Sequence, residues 1–337
     1  MNPNDDLRAL STESDWYATM TIPAPSNLSD AQSRFEVEWH NARRQLSNEW
    51  THEEIARLDE VIAGLHHHDA AAVVVVHARG GATFVELLEE PVSATTVHEG
   101  PLPRWATVLE SRQRVVPHVV VETDRAGADL TGFVGSVVLA SETVDGETLH
   151  IHRGAPGGWS QRRFQQRAEN TWESNARDVA DAVATMARDV RAELVAVAGD
   201  VRAQGFVLDS LPTDVAAVAV KIEAGSPGGI ADEVVRLVAS IPAAHVTATA
   251  ELVRSRRAHG TAVVDAGEVA EALREGRVDT LLVHDDGSDG PGVEAEWCDG
   301  ARLVDRAINA ALATDATILV VPNLTVLEGP LAALLRW

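Results

Sequence analysis

The feature that most constrains the fold is a long amphipathic stretch in the middle of the chain. Its apolar residues recur every three or four positions, at Phe164, Ala168, Trp172, Ala176, Val179, Val183, Met186 and Val190. This spacing predicts one long helix with a single buried face. Such a helix needs an apolar layer against it, and the short β-branched or apolar runs on either side, Val119–Glu122 and Leu194–Ala198, predict a sheet.

Strands and helices are predicted to alternate along the chain, so the fold class is α/β with three domains. An N-terminal α/β domain is predicted over 1–112, a central domain over 113–264 and a C-terminal α/β domain over 265–337. In the first domain, two helices follow from the stripes Phe35, Trp39, Ala42, Leu46 and Ile55, Leu58, Ile62, Leu65. Strands are predicted at Trp16–Ile22, Ala71–His77 and Ala82–Leu88, the last two joined through Arg79–Gly81.

Further strands of the central domain are predicted at Gly135–Ala140, Leu149–His152 and Val215–Val220. A helical stretch over Ile230–His259, interrupted or kinked at Pro242, closes that domain. The C-terminal domain is predicted to contain Glu268–Glu275 and Ala301–Ala313 as helices and Thr280–Val283 and Ile318–Val321 as strands. Between them, Asp285–Asp299 holds six acidic residues and no basic one, which predicts a solvated, mobile loop.

Charge and cysteine content limit the functions open to the chain. The 337 residues carry 28 Lys and Arg against 51 Asp and Glu, a formal net charge of −23. That charge repels phosphate, so any contact with RNA must be local. Cys298 is the one cysteine, the N-terminus has no secretory pattern, and the apolar runs are too short to span a membrane. A cytoplasmic protein without an internal disulfide is expected.

One segment departs from the acidic background. Residues 153–167 hold four arginines and no carboxylate, around a Gly-Gly pair at Gly157 and Gly158. Ser160 is predicted to cap the long helix, with Trp159 packing on Phe164 as a hydrophobic staple. A glycine loop that leads into a helix N-terminus flanked by arginines favours phosphate. The alternative is an ordinary turn followed by a solvated basic face.

The same segment resembles a motif of the archaeo-eukaryotic peptide-chain release factors. Gly157–Phe164 is similar, without a gap, to their Gly-Gly-Gln-Ser-Ala-x-Arg-Phe segment. Asp124–Asp129, with Gly132 and Gly135, resembles the opening strands of their central domain, and Glu275–Val283 resembles the start of their third. The most similar branch is the bacterial one, family 2, which includes Balon-type ribosome hibernation factors. The resemblance implies a central RNase H-like domain, a C-terminal domain like kink-turn-binding proteins, and residence in the ribosomal A site.

One departure from the motif bears on catalysis. The catalytic glutamine of the family aligns with Trp159, whose indole cannot place a water molecule as a small amide does. Gln161 lies two positions later, at the first helical position if Ser160 is the cap. We therefore expect a non-catalytic factor that occupies idle or stalled ribosomes, regulating translation under stress. The RNA-binding residues would be Arg153, Gly157, Gly158, Trp159, Gln161, Arg162, Arg163 and Arg167.

The expected partners are ribosomal RNA at the A site and, besides it, elongation factor Tu or tRNA, with no DNA and no membrane. Two other functions stay open. The first is a peptidyl-tRNA hydrolase or rescue factor that uses Gln161, and the second is an acidic protein-interaction module without RNA binding.

Other candidate sites in the sequence are weaker. We expect no cofactor and no metal site, because His66–His68 cannot converge on one ion and Gly225–Gly229 lacks the lysine of a phosphate-binding loop. Asp124 and Asp129 are interpreted as turn residues. Arg254, Arg256 and Arg257 either complement a helix dipole or form a basic stripe, and the sequence does not decide between the two.

Overall fold

The computed structural model describes residues 3–24, 31–65, 70–145, 158–223, 226–287, 295–322 and 327–337, with the backbone alone described for 158–172. It contains helices and three sheets, which confirms the predicted mixed α/β class. Two compact units are formed, one by Met1–Gln113 with His245–Trp337 and the other by Arg114–Ala244. The three-domain division at 112/113 and 264/265 stays a prediction.

The N-terminal sheet has the antiparallel order β3-β2-β1-β4. Its elements run in chain order α1 (Asp5–Leu10), β1 (Tyr17–Pro23), α2 (Ala31–Arg43), α3 (His52–Ala63), β2 (Ala72–Ala78), β3 (Thr83–Leu88), β4 (Thr96–Gly100) and α4 (Ala106–Arg114). The three strands and two helices predicted here are confirmed. The prediction missed α1, β4 and α4.

Both faces of this sheet are covered, which explains the unbroken apolar run of β2. Met20, Val73 and Val75 pack with α2 and α3, whereas Val74 and Val76 face a second core on the opposite side. Alternate side chains of a strand point to opposite faces, so a strand buried on both sides is apolar at every position.

The start of α3 is fixed by a capping box. The Thr51 hydroxyl accepts from the Glu54 amide, and the Glu54 carboxylate accepts from the Thr51 amide at 2.8 Å. Glu54 also accepts from the Gly80 amide at 2.8 Å. One buried carboxylate thus joins the helix start to the turn between β2 and β3.

The central sheet has the order β7-β6-β5-β8-β9. Its elements are β5 (Pro117–Thr123), β6 (Gly127–Val134), β7 (Val137–Asp145), α5 (Gly158–Val190), β8 (Leu194–Gly199), α6 (Val201–Ser210), α7 (Thr213–Ala216), β9 (Ala219–Lys221) and α8 (Pro227–Arg257). The strands β5, β6 and β7 are antiparallel neighbours, while β8 and β9 run parallel to β5. This is the strand order of the RNase H-like fold predicted for the central domain.

Several predictions for this segment are wrong in detail. Gly135 lies in the turn between β6 and β7 with φ +59°, so the predicted strand begins two residues later. Val215 belongs to the short helix α7, and only Ala219–Lys221 pairs with β8. Both β6 and α6 were missed, and the predicted strand Leu149–His152 lies outside the described residues. His66–His68 also lies outside them.

Helix α8 is continuous through Pro242, so the predicted interruption is wrong. Ser226 accepts from the Gly229 amide at 3.2 Å, which places Gly228 and Gly229 in the first turn of α8 instead of a connector. Proline removes one backbone donor, and the packing of Ile230, Val234 and Leu237 against the central sheet offsets that loss.

The C-terminal sheet has the order β10-β13-β11-β12, with β11 and β12 parallel. Its elements are β10 (Ala262–Val263), α9 (Ala266–Arg274), β11 (Val278–Val283), α10 (Ala295–Cys298), α11 (Leu303–Ala313), β12 (Thr317–Val320) and β13 (Leu331–Leu335). The predicted helices and strands are confirmed, whereas β10, α10 and β13 were missed. One face of this sheet and one face of the N-terminal sheet contribute to the same hydrophobic core, from Leu7 to Leu335.

A group of charges is buried beside this shared core. Arg302 contacts Asp285 at 2.5 Å and Asp305 at 3.3 Å, and Arg104 lies 3.7 Å from Asp305. Asp285 is therefore part of an ion-pair network, and Ala295–Cys298 forms α10 with Trp297 buried, so the prediction of a solvated loop over Asp285–Asp299 is wrong at both ends. Among the described residues, none of the helices has the length and apolarity that crossing a bilayer requires.

Candidate RNA-binding site

The predicted site lies at the start of α5. Arg153 and Gly157 fall outside the described residues. The backbone of α5 begins at Gly158, so the positions of Gly158, Trp159, Gln161, Arg162, Arg163 and Arg167 are in its first three turns. The placement of the arginine and tryptophan side chains stays a prediction.

The position of the helix start corrects one expectation. Because α5 already includes Gly158, Ser160 is its third residue and not its cap, and Gln161 is its fourth residue and not its first. Helix ends vary by one or two residues with local hydrogen bonding, and a serine pattern alone does not fix them.

The rest of α5 anchors this segment firmly to the central sheet. Its buried stripe contains Ala176, Val179, Ala180, Val183, Met186, Ala187 and Val190. On the sheet, a Cβ at Gly132 would lie 3.1 Å from Cγ1 of Val190, so the helix approaches β6 closely there. A regular helix rises about 1.5 Å per residue, which puts Gly158 roughly 25 Å along the axis from Asn175. The arginine-rich segment therefore occupies the N-terminal turns of α5, which we call the arm.

Polar residues at the carboxyl end of β5 hold the base of that arm. The Asp124 carboxylate accepts from the amides of Ala126 and Gly127 at 2.6 and 2.9 Å. The Asn175 amide of α5 donates to the Arg125 carbonyl at 3.2 Å. The interpretation of Asp124 as a turn residue is confirmed, because its carboxylate closes the turn between β5 and β6. Asp129 instead lies within β6 and accepts from the Thr143 hydroxyl of the neighbouring strand at 2.7 Å, so its interpretation as a turn residue is wrong.

Asp200, which the sequence interpretation overlooked, completes this polar base. It caps α6 by accepting from the amides of Arg202 and Ala203, and it lies 3.2 Å from Arg125. Partial burial acts to raise the pKa of Asp200, but the two amides and the Arg125 guanidinium outweigh it and the net pKa is lowered. An Asp that directly follows a buried strand was the available signal.

The base of the arm is a structural contact and not a ligand pocket. The space enclosed between Thr123, Asn175 and Phe206 is about 10 Å³, room for about one water molecule. No group of three or more His, Cys, Asp or Glu residues converges on a possible metal position within the described parts of the chain.

The strand order defines an RNase H-like central unit. The first turns of its long helix α5 contain the arginine-rich segment. Residues 117–259 match the family described as bacterial archaeo-eukaryotic release factor family 2. The match begins at the first residue of β5 and ends in the turn after α8. It confirms the resemblance predicted from the sequence.

Two similar proteins are known from Mycobacterium tuberculosis. The Mycobacterium tuberculosis proteins Rv2629 (strain H37Rv) and MT2704 (strain CDC 1551), both uncharacterized, are 27% identical over 293 residues, which cover 83% of this chain and 78% of each relative. Among solved structures, yeast Dom34 has a TM-score of 0.44 at 9% identity, covering 99% of this chain and 92% of its own. The archaeal termination factor aRF1 has 0.26 at 18% identity, covering 99% and 96%. Both TM-scores are below 0.5, so the resemblance to release factors is based on the family match over residues 117–259 and on the strand order of the central sheet.

Proposed function

We propose that this protein is a ribosome-associated translation factor that acts by binding in the A site of idle or stalled ribosomes. The family match over 117–259, which contains the arginine-rich start of α5, is the observation that carries the proposal. A factor that acts on ribosomes would be a cytoplasmic protein.

The proposed mechanism is occlusion of the ribosome by the arm. Arg162, Arg163 and Arg167 would bind phosphates of ribosomal RNA, and Trp159 would stack on a base. Elongation factor Tu or tRNA is proposed as a co-partner, and hibernation under stress as the setting. The length of α5 supports this mechanism, because about 25 Å of helix separates its arginine-rich start from the residues that pack on the central sheet.

The proposed factor does not hydrolyse peptidyl-tRNA. In the resemblance, Trp159 takes the position of the glutamine that helps place the attacking water, and an indole excludes water there. Gln161 lies two residues farther along the helix. A misplacement of that size costs on the order of 100-fold in rate.

Ribosome binding tests the proposal. Purified protein should co-sediment with ribosomes, and changing Arg162, Arg163 and Arg167 together to Gln should weaken binding and flatten its dependence on salt, because fewer counterions are released. Arg177, Arg188 and Arg236 changed together to Gln are the matched control, since each is exposed and ion-paired in the structure. Equal salt slopes for the two triple variants would refute the arm as the contact.

A release assay on the same ribosomes tests the non-catalytic mechanism. The natural protein, Gln161→Ala and Trp159→Gln would be added to ribosomes that carry labelled peptidyl-tRNA and an empty A site. We expect no release by the natural protein. Release that disappears in Gln161→Ala would instead establish the hydrolase function.

A further inference from the structure

The last turn of α8 is a second place where positive charge is exposed. Arg254, Arg256 and Arg257 lie in this turn, and no carboxylate occurs between Glu251 and Asp265. The chain as a whole is strongly acidic, so this acid-free stretch stands apart from its surroundings. All three arginines are exposed to solvent.

Two of these arginines are not neutralised within the part of the chain that the structure describes. Many other arginines are paired, among them Arg8 with Asp315, Arg79 with Asp15 and Arg112 with Asp6. Arg257 is also paired, with Glu328 at 2.7 Å. Among the described residues, by contrast, Arg254 and Arg256 have no carboxylate partner.

Helix capping does not require their side chains. The Arg256 carbonyl accepts from the amides of His259 and Thr261, and the Arg257 carbonyl accepts from the Gly260 amide. Gly260 has φ +70°, the left-handed conformation that commonly ends a helix. Because the backbone satisfies these terminal carbonyls, Arg254 and Arg256 are available for another partner.

The scaffold that holds the two arginines is rigid. Val246, Ala250 and Val253 of α8 are buried against the C-terminal sheet, and the Arg257–Glu328 pair ties down the end of the helix. At about 100° per residue, Arg254 and Arg256 project roughly 200° apart, on opposite flanks of the last turn. Two such groups reach two different phosphates, one on either side of the helix end.

We propose that the last turn of α8 is a second RNA contact, in which Arg254 and Arg256 each bind one backbone phosphate. The proposal rests on the proposed ribosomal function and adds to the arm a contact on the other compact unit. Arginine suits phosphate because its guanidinium donates two parallel hydrogen bonds. Structured RNA is the partner that presents phosphates at the required density.

Salt titration of ribosome binding by the full chain tests this contact. Arg254→Gln and Arg256→Gln should each reduce the slope of log affinity against log salt by about 0.7–0.9, and the double variant by about twice that. The matched control is Arg188→Gln with Arg236→Gln, which removes the same charge from exposed, ion-paired positions. Thermal unfolding of each variant shows whether the fold is retained.

A photo-crosslinking residue at exposed Ser255, between the two arginines, identifies the partner. The expected adduct is with ribosomal RNA. An adduct with ribosomal protein alone, or a lower melting temperature with an unchanged salt slope, would overturn the proposal and leave the arginines a protein contact or a helix-dipole role. If the natural protein binds ribosomes and the salt slope falls only in the variant with Arg162, Arg163 and Arg167 changed to Gln, this inference fails and the proposed function stands. If the natural protein does not bind ribosomes, both fail.

Discussion

Asp305 shows how burial changes the pKa of a single carboxylate. Its carboxylate is buried, with Arg302 at 3.3 Å and Arg104 at 3.7 Å. Burial raises the pKa of Asp305 to about 6 although both arginines act to lower it. The sequence gives no sign of this, because Asp305 follows Leu303 and Val304 in an ordinary amphipathic helix. Its surroundings depend on Arg104, which is distant in the chain.

The raised pKa predicts a pH-dependent stability. Between the folded pKa near 6 and the ordinary value of 3.8, the folded state binds more protons than the unfolded state, so this group stabilises the fold as pH falls. Each pH unit in that window is worth about 1.4 kcal/mol, giving at most about 3 kcal/mol. Only about one pH unit below the folded pKa lies between pH 7.5 and pH 5, so urea unfolding at these two values should show a gain of about 1.4 kcal/mol in the natural protein and no such gain in Asp305→Asn.

Two other groups also change their contribution to stability with pH, so the natural protein must be compared with the Asp305→Asn variant. Burial lowers the pKa of His77, so its contribution to stability falls as pH decreases, opposite in sign to that of Asp305. Burial, with the charge of Asp285, raises the pKa of Glu110, so that group has the same sign as Asp305. Exposed Asp279→Asn is the control. Parallel pH profiles for Asp305→Asn and the natural protein would contradict the assignment.

At the scale of elements, helices with regular apolar stripes were predictable and several strands were not. The stripe of α5 corresponds to its buried residues because periodicity reports directly on packing. β13 consists of leucine and alanine, and β6 contains glycine and aspartate, so neither has the β-branched composition of a typical strand. The strand conformation of β13 depends on its pairing with β10 and β11, and that of β6 on its pairing with β5 and β7.

The connection from β8 to α6 provides an element-scale prediction. Gly199 has φ +113°, and a Cβ there would lie 1.9 Å from the Thr123 carbonyl oxygen. Gly199→Ala should therefore destabilise the protein by at least about 1–3 kcal/mol. Gly205, inside α6, has open space around it, and Gly205→Ala should stabilise by up to about 1 kcal/mol. Thermal unfolding of the two variants should show shifts of opposite sign, and equal shifts would contradict the assigned geometry.

At the scale of the molecule, the sequence located the candidate site along the chain but did not show how distant segments combine. The resemblance identified the segment from Arg153 to Arg167, and the structure adds the arm that carries it. The sharing of one core by the N-terminal and C-terminal segments was not foreseen. Sequence patterns show which faces are apolar, but they do not show which distant face covers them.

That shared core predicts fragment complementation. A fragment of residues 1–113 leaves uncovered the sheet face formed by Val74, Val76 and their neighbours. It should show little fixed tertiary structure by near-ultraviolet circular dichroism and should gain it on addition of a fragment of residues 245–337. A fragment of residues 114–244 is the control, since it contributes nothing to that core. Cooperative unfolding of 1–113 alone, unchanged by the added fragment, would contradict the prediction.

The shared core also sets an order of events during synthesis. The segment Met1–Gln113 leaves the exit tunnel before its partner His245–Trp337, and the whole of Arg114–Ala244 is translated between them. At about 5–20 residues per second, the early segment waits on the order of ten seconds or more for its partner. The central unit has its complete sequence before then and can fold in that interval. In every newly made chain, Met1–Gln113 would thus emerge before the central unit but mature after it, with its apolar face open meanwhile to chaperones.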